Sequence, residues 1–486
     1  MIDLTKVENG FEKAVERARE RDIIIPTFAQ MKDPDLIPEE IKKKLSEVGL
    51  WDVNPLNLFR ISWKNEPKES GGGYDGVNYI EFPPELTGVD ARIIGLVGKW
   101  FPTGAHKVGA AFGCLVPRLV TGQFDPTAQK AVWPSTGNYC RGGAYDSALL
   151  ACESIAILPE GMSKERFEWL ANIAGEVIKT PGSESNVKEI FDKCWELRES
   201  GEDLMIFNQF EEFGNYLWHY DVTGHAMEEV LRAEMGPNDR FAGVTLTTGS
   251  AGTIGCGDYL KQVFPYSRIA AGEAWQCPTL LENGFGAHRI EGIGDKHVPW
   301  IHNVKNTAMI IALDDAVVVN AARLFNEPAG REYLVKQGVD EDLVTKLDLL
   351  GFSGIANLAM AIQFSKYYEL NSNDVVITVL TDSMDLYQSR LEEMHDAVGS
   401  YTEIDAAADF ARYILGLTTD HLLDTRYTDR RRVHNLKYFT WVEQQGRDHD
   451  ELVAQWYDDD YWTSIQEQIP EIDKLIVEFN KAVDLV

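Results

Sequence analysis

Lys107 lies in residues 99–113, KWFPTGAHKVGAAFG, where a Pro-Thr-Gly turn delivers the pair His106-Lys107 to the start of a small-residue helix. A desolvated lysine in such a place has a lowered pKa and can act as an amine nucleophile toward an aldehyde. Taken alone, the segment also fits a surface lysine on an alanine-rich helix. In residues 132–143, VWPSTGNYCRGG, a strand end passes through Ser135-Thr136-Gly137-Asn138 into a helix start whose N–H groups can hold a carboxylate or phenolate oxygen; an ordinary helix cap reads equally well. In residues 244–260, VTLTTGSAGTIGCGDYL, a strand opens into Gly249-Ser250-Ala251-Gly252-Thr253 and then a helix, which is how phosphate cradles are built. No Gly-Lys-Ser or Gly-Lys-Thr follows, so a small phosphorylated cofactor is favoured over a nucleotide.

These segments need strands to end where they begin. Between about residues 60 and 381, short β-branched runs alternate with longer helical stretches, the rhythm of parallel strands joined by crossover helices, which predicts an α/β architecture. Strand candidates are 154–158, 175–179, 243–247, 268–271 and 375–380, several running straight into Gly, Ser or Thr clusters, where α/β sheets bind ligands. Residues 66–75, EPKESGGGYD, read as a glycine-rich surface loop. After about residue 390 strand-like runs vanish, and 401–486 is acidic, rich in Trp and Tyr and helical in periodicity, an extension that packs on the core or on a partner subunit.

The 486 residues favour two or three packed units over one core. With 46 Lys plus Arg against 77 Asp plus Glu, the net charge of −31 repels nucleic acid and anionic membrane surfaces. Six cysteines without CxxC or Cys/His spacing signal neither zinc nor a disulfide framework and fit a reducing cytoplasm; no metal is expected. The start, MIDLTKVENGFEKAVERARERD, reads as an exposed charged helix without the apolar core of a signal peptide, and no apolar run is long enough to span a bilayer.

Taken in order, the segments resemble the signature set of fold type II pyridoxal phosphate enzymes, the tryptophan synthase β-subunit superfamily, and in several places cysteine synthase and cystathionine β-synthase. LPEGMSKERFEWLANIAGEVIKTPG (158–182) resembles the run after the family's Ser-Gly-Asn loop, GAHRIEGIG (286–294) its Gly-Pro-His-Lys-Ile-Gln-Gly-Ile-Gly, and TDSMDLY (381–387) the Pro-Asp-Ser strand end that closes its core. The likeness covers about residues 57–390. It implies a two-domain α/β fold with twisted, mostly parallel sheets: an N-terminal helical extension at 1–56, a catalytic core at 57–390 with a smaller subdomain at about 100–225, a helical C-terminal extension at 391–486, and a homodimer.

The resemblance also implies pyridoxal 5'-phosphate as cofactor, with Lys107 as its Schiff-base lysine, His106 beside it, Asn138 on the ring hydroxyl oxygen, Gly249, Ser250, Ala251, Gly252 and Thr253 around the phosphate, and Ser383 at the pyridine nitrogen. Ser135, Thr136, Gly137, Tyr139, Arg141, Gln209 and Gly292 would face the substrate. The implied reaction is β-elimination or β-replacement on a β-substituted amino acid through an aminoacrylate. Three alternatives stand beside it: a diaminopropionate-type ammonia-lyase, a serine or threonine dehydratase, and a cofactor-binding subunit of a larger assembly docking through 401–486. Departures from the cysteine synthase pattern cluster on the substrate side. Tyr139, Cys140 and Arg141 follow Asn138 where a threonine and a glycine are usual, Ala251 replaces a glycine, and Asp295, Lys296 and His297 follow the Gly-Ile-Gly where small or apolar residues are usual. Arg141 and Lys296 read either as ligands for an acidic substrate side chain or as exposed, ion-paired residues.

Overall fold

A computed structural model describes residues 1–67, 72–183 and 186–485; positions 68–71 of the glycine-rich segment lie outside the described residues. The strands are, in chain order, β1 (Tyr79–Phe82), β2 (Arg92–Val97), β3 (Lys130–Pro134), β4 (Glu153–Pro159), β5 (Glu176–Thr180), β6 (Leu204–Ile206), β7 (Arg240–Thr247), β8 (Arg268–Ala274), β9 (Thr307–Leu313), β10 (Asp374–Leu380) and β11 (Leu422–Asp424). They form two sheets, one of seven strands in the order β1-β2-β10-β7-β8-β9-β11 and one of four in the order β5-β4-β3-β6. The smaller sheet is parallel throughout, and the larger is parallel except where β1 meets β2 and β11 meets β9 at its two edges. This is an α/β fold with mostly parallel sheets.

The central strands are apolar on both faces. Every residue of β10, DVVITVL, is buried, as are six of the eight in β7. Helices cover both sides of a parallel sheet, so its strands lose the polar alternation that a half-exposed strand would show. Each of the five strand candidates falls on a strand of this structure. The structure adds β11 inside the C-terminal extension, where the sequence pattern predicts only helix. Three residues, LLD, pair antiparallel with β9 at the sheet edge, a run too short to show a period of its own.

The terminal extensions pack on each other and on the core. The helix Glu8–Glu20 has a charged outer face but buries Ala14, Val15 and Ala18, and Phe11 meets Phe479 edge-on at 5.8 Å, so it is docked by one face and not the exposed helix expected. Its partner, Ile469–Val483, buries Ile472, Ile476 and Phe479. The helix Tyr427–Lys437 and Trp441 seize the segment 298–302: Lys437 Nζ donates to the carbonyls of Trp300 (2.9 Å) and His302 (2.7 Å) and to Gln455 Oε1 (2.8 Å), and Trp441 Nε1 donates to the Val298 carbonyl (2.8 Å). Among the described residues, no helix is long and apolar enough to cross a membrane.

Lys437 is fully buried and its three hydrogen bonds have no substitute. Replacing it with methionine leaves two carbonyls and an amide oxygen without their donor, so Lys437→Met is expected to lower stability by about 2–4 kcal/mol, read as an earlier urea-unfolding transition.

Candidate active site

Lys107 enters the site from a tight turn. Thr103 (φ 69°) and Gly104 (φ 73°) are both left-handed, a costly conformation for a β-branched residue, and the chain then starts the helix Lys107–Val120 with Lys107 as its first residue. Desolvation lowers the pKa of its amine to about 8. His106 lies fully buried behind it, with its Nε2 3.3 Å from Thr381 Oγ1 and its ring against Trp63 and His219; burial and the neighbouring Lys107 charge keep it neutral.

The second segment starts where β3 ends. Ser135 Oγ accepts from the Gly137 N–H at 3.1 Å, turning the chain into the helix Asn138–Leu149. A Cβ on Gly137 would stand 2.6 Å from Arg166 Nε, so a glycine is required above that guanidinium. Asn138 Nδ2 donates to Asp382 Oδ2 at 2.6 Å, while its buried Oδ1 has no hydrogen-bond partner among the described residues. Tyr139 donates to the Phe207 carbonyl at 3.2 Å.

The third segment follows β7. Gly249–Thr253 wraps onto the first turn of the ten-residue helix Ile254–Val263, with Ser250 and Thr253 supplying hydroxyls. Asn215 braces it: its Nδ2 donates to Ser250 Oγ and to the Gln209 carbonyl, both at 3.0 Å, and a Cβ on Gly252 would meet Asn215 Oδ1 at 2.0 Å. Ala251 is left-handed, at φ 58°. Its position explains why a glycine suits this loop.

One cleft joins the three. Lys107, Ser135, Thr136, Asn138, Tyr139, Gln209, Gly249, Ser250 and Gly292 line it, together with Thr381, Asp295 and the neighbouring Phe210. The set fits a phosphorylated aldehyde. It combines an amine of lowered pKa, a buried amide oxygen in need of a donor, and a loop of backbone N–H groups and hydroxyls at a helix N-terminus.

Residues 101–382, more than half of the chain, match the family model described as pyridoxal-phosphate dependent enzyme. The chain belongs to this family. The enzyme is 27% identical over 289 residues to a probable cysteine synthase of Bacillus subtilis, covering 59% of this chain and 85% of the relative. It is 29% identical over 291 residues to cysteine synthase of Staphylococcus aureus, covering 59% and 84%. Among solved structures, O-acetyl serine sulfhydrylase isoform 3 of Entamoeba histolytica shares the fold, with a TM-score of 0.56 at 19% identity over 70% of this chain and 94% of that one. Pyridoxal phosphate is the enzyme's cofactor.

Not every expected residue meets the cleft. His106, Gly137, Ala251, Gly252 and Thr253 adjoin residues that line it in the chain and shape its turns. Ser383 is buried two positions past Thr381 and does not line the cleft, whereas Thr381, on the same strand end, does. Arg141 is neither an exposed, ion-paired residue nor a cleft residue. It is 1% exposed, and its guanidinium lies over the Trp169 ring at 4.7 Å beside Arg166, because the helix turns it into the protein beneath the Asn138 turn. Burial and the Arg166 charge push its pKa down to about 10. Lys296 is half-buried and follows Asp295 of the cleft wall. Asn215 and Thr381 were legible only as a residue on a helix and a neighbour of Ser383; Asn215 has no motif of its own.

Ala251→Gly is expected to relieve about 1 kcal/mol of left-handed strain, partly offset by the freedom glycine gains when unfolded, for a net gain of up to about 1 kcal/mol. A small rise in the thermal midpoint of the cofactor-free protein, without loss of phosphate affinity, checks it.

Proposed function

We propose that this enzyme catalyses elimination or replacement at the β-carbon of a β-substituted amino acid, as a cysteine synthase does. The observation that carries the reading is the company Lys107 keeps. The lowered-pKa amine shares one narrow cleft with the Ser135-Thr136 turn and Gln209, which can take an amino-acid carboxylate, and with a strand end that offers it the hydroxyl of Thr381. Asp382, next in the chain, accepts through Oδ2 from Asn138 at 2.6 Å and Tyr387 at 2.8 Å, and its buried Oδ1 has no hydrogen-bond partner among the described residues.

Bound there, pyridoxal phosphate supplies the electron sink for charge that develops on the substrate. The Gly249–Thr253 loop would hold its phosphate through backbone N–H groups, Ser250 and Thr253, and a neutral hydroxyl from the β10 end would meet its ring nitrogen, which keeps the sink weak and favours chemistry at the β-carbon. Ser135, Thr136 and Gln209 orient the substrate carboxylate so that its Cα–H faces Lys107. Lys107 Nζ takes that proton, a step that needs the neutral amine and so benefits from desolvation. Tyr139 and Phe210 wall the cleft and keep water from the reacting carbon. The cysteine synthase relatives support this choice of reaction.

Lys107→Ala is expected to remove the borohydride-reducible visible absorbance and to lower turnover of O-acetyl-L-serine plus sulfide by roughly 10²–10⁴-fold or more. Retention of both would refute the assignment. In the cofactor-free protein, the rate of reaction with the aldehyde should rise with pH around a midpoint of about 8, because the fraction of neutral Lys107 grows as pH passes its pKa; a midpoint near that of an ordinary lysine would contradict the site.

A further inference from the structure

One buried acid in the cleft has no part in the steps above. Asp295 is 6% exposed and lines the cleft with Lys107. Its Oδ1 lies 2.9 Å from His297 Nδ1, and neither Oδ1 nor Oδ2 meets a donor with hydrogen-bonding geometry among the described residues. Burying a carboxyl is costly, and at Glu273 and Asp258 this protein meets that cost with donors, whereas Asp146, outside the cleft, is buried without them. Glu273 accepts from the Leu280 and Leu281 N–H groups at 2.8 and 2.9 Å, and Asp258 from Tyr216, Asn303 and Asn306. Those acids serve structure with both oxygens, but Asp295 lines the cleft with neither oxygen so engaged.

Its surroundings hold it in place. Thr279 Oγ1 donates to the Asp295 carbonyl at 2.5 Å, and the His297 ring is packed by Phe191, Phe210 and Trp441 at 5.4, 4.9 and 5.4 Å. Phe210 follows Gln209 in the chain and lines the same cleft, so the carboxyl shares a wall with the residue that takes the substrate carboxylate. Burial raises its pKa above the usual carboxylate range, with His297 pulling the other way, so it holds a proton at a higher pH than a surface aspartate.

We propose that Asp295, positioned by His297, transfers a proton at the β-substituent, and that the cleft therefore takes amino acids whose leaving group departs as water or a thiol. This rests on the β-carbon reading above. As the Cβ–X bond breaks, its electron pair stays on X, X takes the Asp295 proton, HX departs and Asp295 is left as a carboxylate. In replacement, the entering thiol gives its proton to that carboxylate while a sulfur electron pair forms the Cβ–S bond. In elimination, solvent water returns the proton. An O-acyl substituent leaves as a carboxylate and needs no such acid.

The test compares L-serine with O-acetyl-L-serine as substrates of the holoenzyme and of Asp295→Asn, which keeps size and shape. The variant is expected to lower kcat on L-serine by about 10²–10⁴-fold with KM moved less than about three-fold, and to lower kcat on O-acetyl-L-serine at least about ten-fold less. His297→Phe keeps the aromatic packing and should show a smaller loss with the same dependence on leaving group. In the cofactor-free protein, the His297 ring signals in nitrogen-15 NMR should shift in Asp295→Asn. Equal losses on both substrates, or unshifted His297 signals, would overturn the proposal alone. A wild-type holoenzyme that forms the Lys107 chromophore yet turns over neither substrate would overturn the β-carbon reading and this inference with it.

Discussion

A guanidinium buried between the two sheets sets the geometry of the cleft. Arg166, from the helix that follows β4, forms an ion pair with Glu291, lies 3.9 Å from Asp382 and donates to Tyr387 Oη at 2.9 Å. Glu291 immediately precedes Gly292 of the cleft wall, and Asp382 follows Thr381 at the end of β10. The same guanidinium lies against Gly137, beneath the Asn138 turn. The carboxyl ends of both sheets are thus referred to one charge. Such a buried pair adds little net stability, since desolvation offsets much of the attraction, but breaking it costs several kcal/mol, so it fixes one arrangement over others.

Around that point the protein spends polar groups on positioning. Buried Asn357 accepts from the Thr247 N–H at 2.8 Å and donates to the Val379 carbonyl at 2.7 Å, clamping the ends of β7 and β10 together, where the phosphate loop and Thr381 begin. Asn215 does the same for Ser250 and Gln209. The C-terminal extension takes part as well: Lys437 and Trp441 hold residues 298–302, and Trp441 packs on His297. This extension has a function inside its own chain, as the outer support of the cleft wall that carries Asp295.

Much of this was legible from residues alone. The turns carrying Lys107, Asn138, Gly249–Thr253 and Ser383 pointed to the cofactor through their resemblance, in order, to the family's signature set, while each turn by itself read equally well as an ordinary cap, loop or surface lysine. The central strands were legible because their apolar runs are continuous, and β11 was not, since three residues at an edge carry no period. Ala251 shows the difference between a residue and its conformation. The sequence marks it as a departure, and only its φ of 58° shows that the departure costs strain.

By itself, then, the chain determined its central strands, its α/β class and the segments able to carry a phosphorylated aldehyde, all of which depend on short-range spacing. Tertiary structure alone decided which neighbours face the substrate. It put Thr381 and not Ser383 in the cleft wall, sent Arg141 under Trp169, and set Asp295 in that wall beside His297. Those choices depend on contacts between residues as far apart as Arg166 and Asp382 or His297 and Trp441, and no local pattern encodes which side of a buried cluster a side chain will take.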